Sequence, residues 1–342
     1  MKIALVGNDF DFSSKDGISR YSYELYKRLK EHNTVYTYES KKQGTFTGDM
    51  FEGLKRHFIG TRIEEDVDIV HLMYPNTTHA ISSAPQALTW HDAAIFSRYK
   101  THNSFSKDFY HWLGVILPAL KNTKRANGLT YNSEETRKSL IPYIGKCEEK
   151  VNKVILHGID DIFVKEKVKH NVGREDFMYV GSLQYAHKNI PFLISAFRRA
   201  SKGNNDLHIF TPTSRELINE DYFHIDNVHI HIKASTKELI EKLKTSIALL
   251  HFSKLEGFGL PILESMAVGT PVVVLKDAFI PKAVTRYAIK STMSSASSTI
   301  EWLAKEKPEL SDSAIQYAKS FNWGRTANLT FEFYKEIIEK NR

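Results

Sequence analysis

The chain is expected to fold as α/β, in two doubly wound parallel-sheet domains facing each other across a cleft. Three observations carry that expectation. Short apolar runs of strand length alternate with segments of helical periodicity through the first half of the 342 residues, and a second alternation starts near residue 177. Between them, residues 158–175 are charged and lack periodicity, as a linker between domains would. Near residue 247 a strand-like run passes through a glycine-rich loop into a helix start, at the strand end where such sheets hold ligands.

Residues 2–6 read as a buried first strand rather than a secretory leader, because Asn8 and Asp9 follow too soon. Ile18, Tyr21, Leu25 and Leu29 then recur at helical spacing. Gly17 opens that helix, where the lack of a side chain lets backbone amides approach a ligand, although no GxGxxG accompanies it. Further strands are expected at 67–73, 87–89, 128–131 and 153–156, and helices at 106–121 and 134–141. His91 and Asp92 follow the 87–89 strand at its carboxyl end, where chemistry in doubly wound sheets is found. A structural histidine and a helix cap are the plainer readings of that pair.

The second array places strands at 177–180, 207–210, 228–232, 247–252 and 271–275, with helices at 190–199, 237–245 and 261–268. Domain limits of 1–160 and 161–324 follow, with residues 325–342 forming a helix that docks back on the first domain. Lys188 stands just before the helix at 190–199. The most informative string is Ser253-Lys254-Leu255-Glu256-Gly257-Phe258-Gly259-Leu260-Pro261-Ile262-Leu263-Glu264. Strand, glycine loop and helix start aim amides and a helix dipole at a phosphate, and Pro261 suits the first turn. Glu256 and Glu264 would repel a bare phosphate, but each can accept hydrogen bonds from adjacent hydroxyls. A sugar nucleotide offers both groups. The plain alternative for Glu264 is a first-turn charge that complements the helix dipole.

Composition narrows the class. With 42% hydrophobic and 25% charged residues the chain is an ordinary globular protein, and no apolar run approaches the ~20 residues that span a bilayer. Cys147 is the only cysteine, so no intrachain disulfide can form and a reducing compartment is expected. The histidines are scattered along the sequence with no metal-ligand spacing, so no metal is expected. The net charge of +7 is spread without a basic block or aromatic-basic string, which speaks against nucleic acid as the partner.

The stretch from Glu256 through Ser265-Met266-Ala267-Val268-Gly269-Thr270-Pro271 to Val274 resembles the signature of the retaining glycosyltransferases of family 4, in which two glutamates flank seven residues. Ser265 departs from that pattern. Further strings support the resemblance: His91-Asp92, Gly181-Ser182-Leu183 with Lys188-Asn189, His157-Gly158-Ile159-Asp160, and Phe321-Asn322-Trp323. Asp16 replaces the first of two family glycines, Ser182 stands where many relatives carry arginine, and His187 where arginine is frequent.

The resemblance implies two Rossmann-like domains in the GT-B arrangement, with the donor held mainly by the second. It implies transfer of a hexosyl group, mannosyl favoured over glucosyl, from a nucleotide sugar to a glycan or lipid-linked saccharide, with retention and without metal or other cofactor. GDP-mannose is the favoured donor and a UDP-sugar the alternative. Glu264 would bind the ribose, Glu256 the transferred sugar and Lys188 the diphosphate, while His91 would face the sugar across the cleft. Phe258, Gly259 and Leu260 would hold sugar and phosphate through their amides, with Gly17, Asp92 and Ser182 completing the substrate contacts. A cytoplasmic location is expected; the aromatic and basic residues of 109–125 read first as a partly buried helix of the first domain, with peripheral contact at the inner membrane face as the alternative, and the 41–62 loop is a second place for acceptor contacts. The competing function is a non-catalytic nucleotide-sugar-binding subunit of a glycan-synthesis complex, suggested by Ser182 and Asp16. Slow donor hydrolysis by the purified chain would separate the two.

Overall fold

The computed structural model describes residues 1–11, 17–39, 60–97, 111–168 and 173–342. Lys15, Asp16, Phe109, Tyr110 and nearly all of the 41–62 loop lie outside the described residues. The chain divides into one unit of Met1–His157 with Trp323–Arg342, and a second of Gly158–Asn322.

In the first unit, strands β1 (Lys2–Gly7), β2 (Thr34–Glu39), β3 (Ile69–Leu72), β4 (Gln86–Trp90), β5 (Gly128–Tyr131) and β6 (Val151–Val154) form a parallel sheet in the order β2-β1-β3-β4-β5-β6. Helices α1 (Gly17–Leu29), α2 (Leu117–Arg125) and α3 (Glu134–Ile144) are among its crossovers. Successive residues of β1 go to opposite faces and all are buried from Ile3 on: Ile3 and Leu5 pack with Tyr21 and Leu25 of α1, Ala4 and Val6 with Ala119 of α2 and Leu140 of α3. Burial on both faces is why these strands read as continuous apolar runs. The helix expected at 106–121 enters the described residues as a π-helical turn, Trp112–Ile116, that runs into α2 with Pro118 in its first turn. That turn is set by main-chain pairing and left no mark in the spacing of apolar residues.

In the second unit, β7 (Phe177–Val180), β8 (Leu207–Thr211), β9 (Val228–Ile232), β10 (Ala248–His251), β11 (Val272–Leu275) and β12 (Ile289–Ser291) are again parallel, in the order β9-β8-β7-β10-β11-β12. Relative to the first strand of the unit this is the 3-2-1-4-5-6 order of dinucleotide-binding sheets. Its helices are α4 (Ile190–Ser201), α5 (Thr236–Thr245), α6 (Leu260–Ala267), α7 (Ala296–Glu306) and α8 (Asp312–Lys319). The core on one face joins Phe177 and Tyr179 of β7 to Phe197 of α4 and Ile300 of α7.

The described residues of 158–175 are more structured than a bare linker. Asp160 caps the short helix Asp161–Lys165, Phe163 is buried, and Arg174 donates to the Gly269 carbonyl at 2.7 Å. Two apolar anchors, Ile159 and Phe163, and one buried guanidinium fasten a stretch that is otherwise rich in charged residues. After α8 the chain returns to the first unit as α9 (Trp323–Lys340), whose Phe333, Tyr334 and Ile337 are fully buried beside Ile3 and Ile69.

Candidate functional site

In the second sheet the strand order reverses between β7 and β10, and the loops that leave their carboxyl ends flank the crevice where such sheets bind ligands. Both loops carry residues singled out above. After β7, a side chain at Gly181 would meet the Tyr179 hydroxyl at 2.7 Å, and Ser182 Oγ lies 3.2 Å from Thr213 Oγ1. A 3-10 turn, Ala186–Lys188, leads to Asn189, whose left-handed backbone opens α4. Asn189 Nδ2 donates to the Phe252 carbonyl at 3.2 Å, and the Lys254 amide donates to the His187 carbonyl at 2.8 Å. The two loops are thus stitched together by one side-chain and one main-chain bond.

That stitching brings Lys188 onto Glu256. The ammonium donates to both carboxylate oxygens at 2.8 Å, and His251 Nε2 donates to Oε1 at 2.7 Å. Burial by itself would raise the Glu256 pKa; the His251 imidazole and the Lys188 ammonium more than offset it and hold the carboxyl well below the usual range. Burial, with Glu256 adding to it, drives the Tyr179 hydroxyl far up, so Tyr179 stays neutral with its ring stacked on His251. His251 is the residue that sequence reasoning passed over. A histidine ending an otherwise apolar strand five positions before Glu256 was the available signal. Lys188, expected to meet a diphosphate, is paired here with Glu256, because a carboxylate this buried needs a cation beside it.

Downstream, Glu256 N donates to the Phe279 carbonyl at 2.9 Å and Phe279 N to the Lys254 carbonyl at 2.9 Å, which fixes the loop before the glycines. Phe258 is buried, its ring 6.4 Å from that of Phe321. Gly259 caps α6 with φ +96°, a backbone region that disfavours any side chain, and no side chain caps the first turn. Leu260 and Pro261 follow as the first helical residues, so amides at this end point at the crevice in the way that suits an anion. Glu264 does not lie in that first turn. It is the fifth residue of α6 and only 4% exposed, so the helix-dipole explanation for it gives way to that of a carboxylate held inside the fold.

In the first unit, His91 follows β4 and is buried; its Nε2 donates to the Met73 carbonyl at 2.9 Å, just after β3. Its ring stands edge-on to Tyr21 at 4.9 Å and to His157 at 5.3 Å. Asp92 Oδ1 accepts the Ala94 amide at 2.8 Å, the contact of a cap on the short helix Ala94–Ser97. Gly17 opens α1, is exposed, and has no atom within 4 Å of where a Cβ would stand. Behind His91 a polar chain crosses the core: Tyr334 Oη to His71 Nδ1 at 2.6 Å, His71 Nε2 to Thr89 Oγ1 at 2.8 Å, and Thr89 to Tyr21 Oη at 2.9 Å. Burial, then the charge of His91, pushes His71 down to about 3, so it is a neutral hydrogen-bonding bridge. These partners come from four separate elements, and no local string announces them.

Three of the histidines scattered along the sequence come together in space. The fold gathers His208, His229 and His231 with Asp176 and Asp206 at the amino-terminal edge of the second sheet, a grouping the sequence spacing conceals.

Residues 160–321 match the family model described as Glycosyl transferases group 1. No curated protein resembles the chain in sequence. Solved structures do resemble it. Sucrose-phosphate synthase from Thermosynechococcus elongatus matches with a TM-score of 0.71 at 13% identity, over 99% of each chain. The α,α-trehalose 6-phosphate synthase from Burkholderia multivorans matches with 0.65 at 12%, over 100% of each. WaaG, a glycosyltransferase of lipopolysaccharide biosynthesis, matches with 0.65 at 13%, over 99% of each. At these identities the likeness is one of fold, and that fold is the GT-B arrangement of two parallel-sheet units. The family match over residues 160–321 points to glycosyl transfer.

Proposed function

We propose that the protein is a retaining, metal-independent hexosyltransferase that draws on a nucleotide sugar. What carries the proposal is one feature of the second unit: Glu256 and Glu264 stand on either side of a helix start whose first turn lacks a capping side chain, at the point where the strand order reverses. A ligand with hydroxyls at both ends and a diphosphate between them meets those demands.

In the proposed cycle the diphosphate competes with Glu256 for the Lys188 ammonium. The freed Glu256 carboxylate, still held by His251, accepts the hydroxyls of the transferred sugar, and Glu264 accepts those of the ribose. Amides of Phe258, Gly259 and Leu260 take the remaining sugar and phosphate contacts. As the sugar–phosphate bond breaks, negative charge grows on the leaving diphosphate, and Lys188 with the helix dipole stabilises it in place of a metal. Ser182 offers no charge there, so Lys188 acts without the neighbouring arginine of many relatives. Retention then follows from same-face attack. Mannosyl transfer from GDP-mannose is the preferred version and a UDP-sugar the alternative. The acceptor is proposed as a glycan or a lipid-linked saccharide at the cytoplasmic membrane face; the exposed Trp112 is the feature of the described residues that fits such a surface.

Glu264→Ala tests the donor assignment. Loss of charge-assisted hydrogen bonds worth roughly 1.5–3 kcal/mol each should weaken donor binding at least about tenfold. Calorimetric titration of GDP-, UDP- and ADP-sugars against both proteins measures this and ranks the bases. An unchanged dissociation constant in the folded variant removes Glu264 from the site. Donor hydrolysis by the wild type separates an enzyme from a pure binder, which would release no free nucleotide.

A further inference from the structure

A polar cluster stands at the opposite end of the second sheet from the proposed donor loops. Asp176 immediately precedes β7 and Asp206 immediately precedes β8, while His208, His229 and His231 project from β8 and β9. His208 and His229 are direct neighbours in the parallel register, and His231 is two residues further on the same face. The donor loops leave the opposite, carboxyl ends of these strands, about 13 Å away for four residues of strand.

Three of these side chains, Asp176, Asp206 and His208, stand at the spacing of a coordination shell, with His229 beside them against Asp206. His208 Nε2 lies 3.3 Å from Asp176 Oδ2, and His229 Nε2 lies 3.1 Å from Asp206 Oδ2. One ligand atom each from Asp176, Asp206 and His208 falls within 4.8 Å of the others. A tetrahedral ion bound at about 2.0–2.1 Å sets its ligand atoms roughly 3.3 Å apart. In Asp176, Asp206 and His208 the atoms that would not bind the ion are tied off. Asp176 Oδ1 accepts the Asp206 amide at 3.1 Å, Asp206 Oδ1 accepts Asn227 Nδ2 at 2.8 Å, and His208 Nδ1 lies 3.0 Å from His231 Nε2. Such outer contacts orient ligating carboxylates and fix the tautomer of a ligating imidazole. One cation is already drawn in: Lys242 Nζ of α5 lies 2.7 Å from Asp176 Oδ2. His229 and Asp206 are partly exposed, with side-chain accessibilities of 49% and 36%, so an ion has a route from solvent.

We propose that Asp176, Asp206, His208 and His229 bind a divalent transition-metal ion of the zinc class, which clamps β7, β8 and β9 together and displaces the Lys242 ammonium. Two imidazoles and two carboxylates suit zinc over magnesium or calcium, which take all-oxygen shells. The ion is structural, on the far edge of the sheet from the donor loops, and its binding stands or falls independently of the sugar-transfer assignment.

The test uses the whole chain, stripped with chelator, dialysed and titrated with zinc chloride in a calorimeter, with thermal unfolding followed in parallel. One equivalent should bind saturably and raise the unfolding temperature. His208→Ala and Asp206→Asn should each weaken zinc binding by roughly tenfold or more, as loss of even an outer partner commonly does. Cys147→Ser should bind as the wild type does. Lys242→Met should bind zinc more tightly than the wild type, because the competing cation is gone; this variant removes no ligand, so it serves if the others fail to fold. The proposal is overturned if the wild type shows no saturable zinc binding, if Cys147→Ser abolishes it, or if Lys242→Met leaves the affinity unchanged or lower.

Discussion

Glu256 concentrates the energetics of the site in one carboxylate. Its partners Lys188 and His251 are themselves largely buried, so none of the three has water as a ready substitute. Lys188→Met is therefore expected to act twice. It removes the cation proposed for the leaving diphosphate, lowering turnover by roughly 10²-fold, more than it weakens donor binding. It also leaves Glu256 with His251 alone, which should lower the urea midpoint. Unchanged turnover in the folded variant would refute the leaving-group contact. The pH dependence has a definite sign. Because the folded-state pKa of Glu256 is depressed, its stabilisation is fully present above the unfolded value near 4.5 and is lost as pH falls from there through the folded value. The stability difference between wild type and Glu256→Gln should be flat from about pH 8 to pH 5 and shrink only below about pH 4.5. A difference that already shrinks between pH 7 and pH 5 would mean that the carboxyl is not held this way. The glutamates, Lys188 and the glycine loop were legible in the sequence because each belongs to a local string. His251 as the second partner of Glu256, and Tyr21, His71 and Tyr334 behind His91, were not, because their meaning lies in contacts between elements.

At the level of elements, strands buried on both faces were legible as apolar runs, and α1, α4, α5 and α9 as periodic segments. The strand β2 was not: it lies at the sheet edge, none of its residues is fully buried, and its exposed and half-buried positions do not alternate strictly, which blurs the pattern. The helices α7 and α8 went unread too, their apolar positions being short of a full stripe and diluted by serine and alanine. One glycine decides how α9 seats. A side chain at Gly128 of β5 would come within 2.4 Å of Ile337 Cδ1 and 2.9 Å of Phe333 Cζ, so the helix lies directly on the strand backbone there. Gly128→Val is expected to push α9 off its seat and cost about 1–3 kcal/mol, as overpacking of a filled core does. Chemical denaturation measures the loss, and a variant as stable as the wild type would show that α9 shifts without penalty.

For the whole molecule, no helix among the described residues is long and apolar enough to cross a membrane, and the buried apolar residues of each unit join its parallel sheet to the helices that cover it. The proposed chemistry and the proposed zinc site make opposite forecasts for chelation. Sugar transfer at moderate temperature should survive exhaustive EDTA treatment, whereas the unfolding temperature of zinc-loaded protein should fall. Activity abolished by EDTA and restored by magnesium or manganese would refute the metal-free mechanism.

By itself the sequence determined the α/β class, the two successive strand–helix arrays, and the string of residues from Glu256 to Glu264 that presents carboxylates around a helix start. Those features depend on residues a few positions apart, where periodicity and turn chemistry act directly on the backbone. Only the tertiary structure decided that Lys188 meets Glu256 across 68 positions, that His251 joins them, and that three dispersed histidines gather with two aspartates. Parallel strands must be joined by crossovers of a dozen residues or more, so neighbours in the sheet are always distant along the chain. Which ones become neighbours is settled by strand order, and strand order is a property of the packed sheet.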